Sequence, residues 1–278
     1  MSAPLPRLET LFDRAEGAPL PLPAALRDAY GDLRFPDGGR PHVFANFVTT
    51  LDGLVSYGVP GAASARFISR GHPGDRVVMG LLRAAADVVV SGSGTLRAEG
   101  KVTWTPRQIF PAAADAYREL RRARGLQERT RVAILTASGD VDLSAPVFTS
   151  PDVEPLIVTS VRGAERLAAQ GRRDVRVRAV GEREPTMREA IDVLAAETGA
   201  RLILSEAGPS LFGLMLRERV VDELFLTLAP HLAGRSRERP GIGLVDRVAF
   251  THDEAPWADL VSVRRSADFL LLRYIIRR

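Results

Sequence analysis

From residue 42 onward the chain alternates short runs of β-branched and aliphatic residues with longer amphipathic stretches. The apolar runs fall at 42–48, 87–91, 131–136, 155–159, 175–180, 201–205, 222–230 and 268–276, and each predicts a strand. Several are almost continuously apolar, such as Val88-Val89-Val90 and Leu202-Ile203-Leu204, the pattern of strands covered on both faces. Between them, 75–86, 112–124, 164–169, 187–197 and 210–219 carry helical periodicity. Strand–helix alternation of this kind predicts an α/β fold, a mostly parallel central sheet with helices on both faces. The two last runs follow one another with little helix around them and predict antiparallel C-terminal strands.

The first 41 residues break this rhythm. They hold seven of the chain's nineteen prolines, and proline fixes φ and removes a ladder donor. The expectation is a proline-rich N-terminal arm over 1–40, with one short helix at 24–30, lying over a single domain at 41–278.

Composition and charge remove several classes of function. There is no cysteine, so no disulfide framework, thiolate metal site or catalytic thiol exists, and the four histidines never approach zinc-ligand spacing; no metal is expected. A pI near 10 suggests nucleic acid, but the net charge is only +4. Lys101 is the single lysine among 38 basic residues, and arginines do not titrate near pH 10, so a small arginine excess carries the pI far upward. Basic clusters such as Arg121-Arg122 and Arg172-Arg173 are brief, no aromatic-basic patch of the RNA-binding kind appears, and no nucleic-acid partner is expected. No apolar run approaches the about 20 residues needed to span a bilayer, and no leader is visible, so the protein reads as cytoplasmic with no membrane partner.

Two segments carry candidate chemistry with one layout, a buried strand running into small residues. The first is Ser91-Gly92-Ser93-Gly94-Thr95 and the second Ser205-Glu206-Ala207-Gly208-Pro209-Ser210. Ligands of open parallel sheets bind beyond the carboxyl ends of strands, where small residues admit a phosphate to backbone amides. Pro209 suits the first position of a helix, which puts Gly208 at its start. Either segment alone reads equally well as an ordinary tight turn; two in one sheet favour a dinucleotide or phosphate ligand. Neither the Rossmann fingerprint nor the P-loop is present, because Arg97 and Val102 stand where those motifs need glycine and Ser/Thr. A third segment, Asn46 to Gly53, ends a strand in an Asp-Gly turn that sets Thr50 and Asp52 beside the other two. Arg83, on the helix before the second strand, is a natural phosphate fork if it faces a cleft.

The blocks N-F-V-T-T-L-D-G (46–53), F-I-S (67–69), L-R-A (82–84), G-T-L-R-A-E (94–99), S-E-A-G-P-S-L (205–211) and V-D-E-L (221–224) occur in that order. Together they resemble the reductase domain of riboflavin biosynthesis, the C-terminal half of the bifunctional pyrimidine deaminase/reductase. The resemblance covers about residues 41–278 and implies a dihydrofolate-reductase-like α/β sandwich, a homodimer, and NADPH as cofactor. The implied reaction reduces the ribosyl group of a ribosylamino-pyrimidine phosphate to a ribityl chain. It further implies that Gly92, Gly94, Thr95, Ala207, Gly208, Pro209, Ser210 and Leu211 form the cofactor loops, with Phe67 as an aromatic at the cofactor and Thr50 nearby. Arg83 is implied to grip the sugar phosphate, Asn46 and Glu206 to contact substrate, and Asp52 and Glu206 to be the catalytic acids. Thr159, Ser160 and Arg162, after a strand, are candidates for the 2′-phosphate.

The chain also departs from that pattern. Ala98-Glu99-Gly100-Lys101-Val102 replaces the family's common Asp-Asp-Pro, and Asn46 stands where the first strand often carries lysine. Without cysteine, the zinc deaminase motif has no thiolates here, so a reductase alone is expected. The alternatives are a reductase of another N-heterocycle, folate-like substrates included, and a non-catalytic nucleotide-binding or nucleic-acid-binding protein on the same fold.

Overall fold

The computed structural model describes residues 4–36, 38–59, 64–171 and 174–278; Arg172 and Arg173 of the basic clusters lie outside the described residues. Among the described residues the strands are β1 (Glu9–Asp13), β2 (His42–Thr50), β3 (Leu54–Ser56), β4 (Val88–Gly92), β5 (Thr130–Thr136), β6 (Val153–Thr159), β7 (Arg176–Ala179), β8 (Leu202–Ser205), β9 (Glu223–Ala229), β10 (Ile242–Gly243), β11 (Ala258–Ser266) and β12 (Phe269–Ile276). The α-helices are α1 (Ala24–Tyr30), α2 (Ser64–Ser69), α3 (Pro73–Ala85), α4 (Ser93–Glu99), α5 (Pro106–Ile109), α6 (Ala114–Ala123), α7 (Pro146–Thr149), α8 (Val161–Ala168), α9 (Met187–Thr198) and α10 (Pro209–Arg217).

Ten strands form one sheet in the order β1-β11-β12-β9-β2-β8-β4-β5-β6-β7. Every pairing from β9 through β7 is parallel, and those joining β1, β11, β12 and β9 are antiparallel. The mostly parallel α/β sandwich with antiparallel C-terminal strands is therefore what the chain adopts. Period-two alternation explains the layers. Phe44, Val89, Val132 and Ile134 point into one core with Leu82 of α3 and Leu120 of α6. Their neighbours Val43, Ala45, Val88, Val90, Ala133 and Leu135 point into the opposite core with Leu194 of α9 and Met215 of α10. Local signals set the helix ends. Pro73 opens α3, and Thr186 with Glu189 forms a capping box on α9, which Gly199 closes at φ +67.

The N-terminal segment is built into this body despite its prolines. β1 pairs antiparallel with β11, and Leu8, Leu22, Leu26, Tyr30, Leu33 and Phe35 join the first core. Two buried arginines tie it down. Arg264 donates to the Tyr30 carbonyl at 2.7 Å and to Asp13 at 2.6 Å, and Arg273 donates to the Arg34 carbonyl at 2.5 Å. β1 and β11 are both unmarked by the hydrophobic pattern, because β11 buries Ser262, Arg264 and Ser266 where an apolar face would be expected.

Candidate active site

β4 and β8 are parallel neighbours, with Val90 opposite Ser205, so their carboxyl ends open side by side. Gly92 starts α4 and Gly208 starts α10, with Pro209 in that helix's first turn. The turns touch: a Cβ on Gly208 would lie 3.0 Å from Thr95 Oγ1, and one on Gly92 would lie 3.4 Å from Leu211. The first amides of α10 have no intrahelical partner and face the region where an anion is favoured. The two turns form part of the wall of a cavity of about 1820 Å³. Single ligand sites typically occupy about 300–1,000 Å³, so this one has room for a nucleotide and a second molecule.

Beyond the turns, the wall carries a buried ion pair. Arg83 of α3 grips Glu206 in a fork, Nε to Oε1 at 2.9 Å and Nη2 to Oε2 at 2.6 Å. Its remaining nitrogen donates to the Thr105 carbonyl at 3.3 Å. Trp104, just before that carbonyl, is buried in a left-handed conformation at φ +53, a strained placement for a bulky residue. Of the other carboxyls lining the same cavity, Asp75 of α3 and Glu99 of α4 feel the Glu206 charge. Burial pushes Asp75 up to about 6, with hydrogen bonds from Thr227 and Ser69 opposing and the Glu206 charge adding to the rise. Burial, then the Glu206 charge, also raises Glu99. Basic side chains outnumber acidic ones on the wall, with Arg66, Arg70, Arg76 and Lys101 among them.

The RibD C-terminal domain family model matches residues 41–264. The chain belongs to this family. No curated protein sequence matches it. Among solved structures, a pyrimidine reductase-like protein from Corynebacterium diphtheriae is 25% identical, with TM-score 0.64 over 86% of this chain and 92% of that one. Acinetobacter baumannii RibD is 20% identical with TM-score 0.65 over 86% of this chain, which spans only 59% of that RibD. The Saccharomyces cerevisiae riboflavin biosynthesis reductase is 15% identical with TM-score 0.59, covering 88% of this chain and 93% of that one. At 20% and 15% identity, these last two show a shared fold.

On this RibD C-terminal domain, the cavity gathers many of the residues singled out in the sequence. Gly92, Gly94 and Thr95 come from the first turn, and Glu206, Ala207, Gly208, Pro209, Ser210 and Leu211 from the second. Asn46 of β2 and Arg83 complete that group. Arg83 is not a free phosphate fork, because Glu206 occupies it.

Others stand off the wall. Asp52 anchors a turn, accepting from Ala233 N at 3.0 Å, Gly234 N at 2.8 Å and Thr50 Oγ1 at 2.7 Å. These bonds, Ala233's first, hold its carboxyl far below the usual range, which unsuits it to proton donation. The Thr50 hydroxyl is spent inside that turn, also accepting from Leu54 N at 2.9 Å. Phe67 is 54% exposed and is not on the cavity wall, while Arg66 on the same helix and Arg70 in the turn after it line the cavity. Ser160 caps α8 through Gly163 N at 3.0 Å, Thr159 is fully buried, and Arg162 lies on the exposed side of α8. Thr136, the neighbour of Thr159 across β5 and β6, lines the cavity instead, and among the described residues neither buried hydroxyl has a hydrogen-bond partner.

Asp75, Trp104, Thr136 and Arg76 are thus site residues that sequence reasoning missed. Asp75 reads in sequence as an ordinary acid in a helix's first turn. Only its position three residues after His72, on the α3 face that packs inward, distinguished it.

Proposed function

We propose that the chain is an NADPH-dependent reductase of riboflavin biosynthesis, converting the ribosyl group of 5-amino-6-(5-phosphoribosylamino)uracil, or the related diaminopyrimidinone, to a ribityl chain. The observation that carries this is one cavity, large enough for two ligands, running from the paired glycine turns to the buried Arg83–Glu206 fork. Family membership supports the reaction class.

The residues fit a nicotinamide dinucleotide. Gly208 leaves free the space a side chain would take against Thr95, the α10 start offers amides to a pyrophosphate, and the orphaned Thr136 hydroxyl offers a partner to a ribose or base. NADPH bound there supplies a hydride to the substrate's anomeric carbon. The cationic excess of the wall favours the additional phosphate that distinguishes NADPH, and Arg66, Arg70, Arg76 and Lys101 attract the phosphate of the substrate. Glu206, held in one rotamer by Arg83, presents a fixed acceptor for ribose hydroxyls or the pyrimidine amino group. Burial of the pair strengthens its field on whatever binds beside it. A homodimer is part of the proposal, and light scattering measures it.

A second reading, reduction of a folate-like heterocycle, is favoured by one observation: Ala98 through Val102, where the chain departs from the family pattern, all line the cavity. NADPH oxidation followed at its nicotinamide absorbance, with the phosphoribosylamino-pyrimidine and dihydrofolate in parallel, decides. Turnover of the first substrate is expected; turnover of dihydrofolate alone selects the second reading, and none on either overturns both.

A further inference from the structure

Reduction of a ribosylamine consumes one hydride and one proton, and Arg83 occupies both oxygens of Glu206. We propose that Asp75 is the proton donor of this reduction, a buried carboxyl on the cavity wall between Ser69, Thr227 and the Arg83–Glu206 pair. This rests on the reductase reading above.

The geometry favours the protonated form. Asp75 is only 3% exposed and lines the cavity from the first turn of α3. Thr227 and Ser69 hydrogen-bond its carboxyl and oppose the rise in its pKa, and burial outweighs them. The charged groups around Asp75 are Arg76 and Arg83 on its own helix, Glu206 after β8 and Glu99 on α4. Arg66 lies on α2, Arg70 in the turn after it, and His72 at the start of α3. β9 brings Thr227, while its Glu223 is bound to Arg273. Burial outweighs the cations, so the group titrates near neutral pH, the range in which a general acid is most effective.

In the step itself the anomeric carbon gains the hydride with its electron pair, and its bond to the ring oxygen breaks. That oxygen takes the Asp75 proton and becomes the ribityl hydroxyl. The nicotinamide is oxidised, the sugar carbon is reduced, and Asp75 recovers its proton from solvent.

Two measurements test this: single-turnover NADPH oxidation from about pH 5 to pH 9 in wild type, D75N and D75E, and infrared titration of the ligand-free wild type against D75N. Wild type is expected to slow about tenfold per pH unit above about 6, and D75N to be slower by on the order of 10²–10⁴-fold with a flat profile. D75E is expected to restore a pH limb displaced to its own carboxyl pKa, and NADPH fluorescence to give D75N an unchanged Kd. The ligand-free protein should show a protonated carboxyl band that titrates near pH 6 and is missing in D75N. A D75N enzyme that keeps the wild-type rate or the wild-type pH limb overturns the proposal, as does an Asp75 band that disappears in the ordinary carboxylate range. Should D75N not fold, the shift of the limb between wild type and D75E decides alone. Absence of wild-type turnover overturns the reductase reading itself, and the infrared titration keeps the two failures apart.

Discussion

The molecule contains two buried Arg–Glu pairs of nearly the same geometry in different settings. Arg273 and Glu223 lie on the neighbouring antiparallel strands β12 and β9, with Nε to Oε1 at 2.8 Å and Nη2 to Oε2 at 3.0 Å. That pair is sealed. The guanidinium lies 5.0 Å from the Phe35 ring centroid and 4.9 Å from that of Phe225, and His42 Nε2 stands 3.2 Å from Glu223. Arg83 and Glu206 form a similar fork, but between a helix and a turn, on the wall of a cavity with the Asp75 and Glu99 carboxyls beside it. The first pair is enclosed by those contacts and serves to hold Phe35 and Arg34 of the N-terminal segment against the sheet. The second faces open space, so its hydrogen bonds can be shared with a ligand. The same two side chains act as a rivet in one place and as a recognition element in the other, and what they open onto decides which.

The comparison breaks most sharply on the sealed side. Removing one partner of a buried pair leaves an uncompensated charge and costs about 3–5 kcal/mol. Arg273→Ala also loses both ring contacts and the bond to Arg34, so it is expected to reach that range in urea unfolding and to expose the N-terminal segment to proteolysis. A midpoint close to that of wild type would mean the sealed pair is not a rivet.

On the cavity side, Glu206→Gln keeps the shape and removes the charge. It is expected to lower kcat/KM by about tenfold to a hundredfold, the worth of a hydrogen bond to a charged group at about 1.5–3 kcal/mol. The corresponding Glu223→Gln should alter stability and leave kcat/KM alone. If both substitutions affected the same quantity to the same extent, the division of roles would be wrong.

Gly208→Ala probes the glycine turns. The new Cβ would sit 3.0 Å from Thr95 Oγ1, tighter than ordinary contact. Loss of about 1 kcal/mol, or roughly fivefold in NADPH affinity, is expected, and Thr95→Ala in the same protein should recover part of it. Failure of the second change to restore affinity would place the cofactor away from these turns.

Much of the fold was legible because the parallel strands are buried on both faces and their apolar runs are uninterrupted. β11 was not, since its inward face carries Ser262, Arg264 and Ser266, made tolerable by partners far off in sequence. Arg264 meets Tyr30 across 234 positions, and no local pattern contains that contact. The site divides in the same way. Gly208 and Thr95 sit in recognisable turns, whereas the Arg83–Glu206 fork spans 123 positions and appears only once the chain is folded. Asp75 was illegible for a related reason. Its chemistry comes from burial, and burial of an acid leaves no mark in its own neighbourhood of the sequence.

The smallest expected effect concerns Asp52, the acid that a motif reading favours and the geometry does not. Its carboxylate is held by the Ala233 and Gly234 amides and the Thr50 hydroxyl, in a turn where Gly53 adopts φ +82. Those bonds favour the charged form, so the folded-state pKa lies below the unfolded value of about 3.9. Such a group contributes stability above the unfolded pKa and loses it as pH falls through the folded one. Asp52→Asn is therefore expected to be slightly less stable than wild type at neutral pH, with the difference narrowing as the solution is acidified below about pH 4. Because Asp52 lies off the cavity wall, kcat and the NADPH KM should stay at wild-type values. A loss of kcat with unchanged stability would return Asp52 to the catalytic machinery and take the proton-donor role from Asp75.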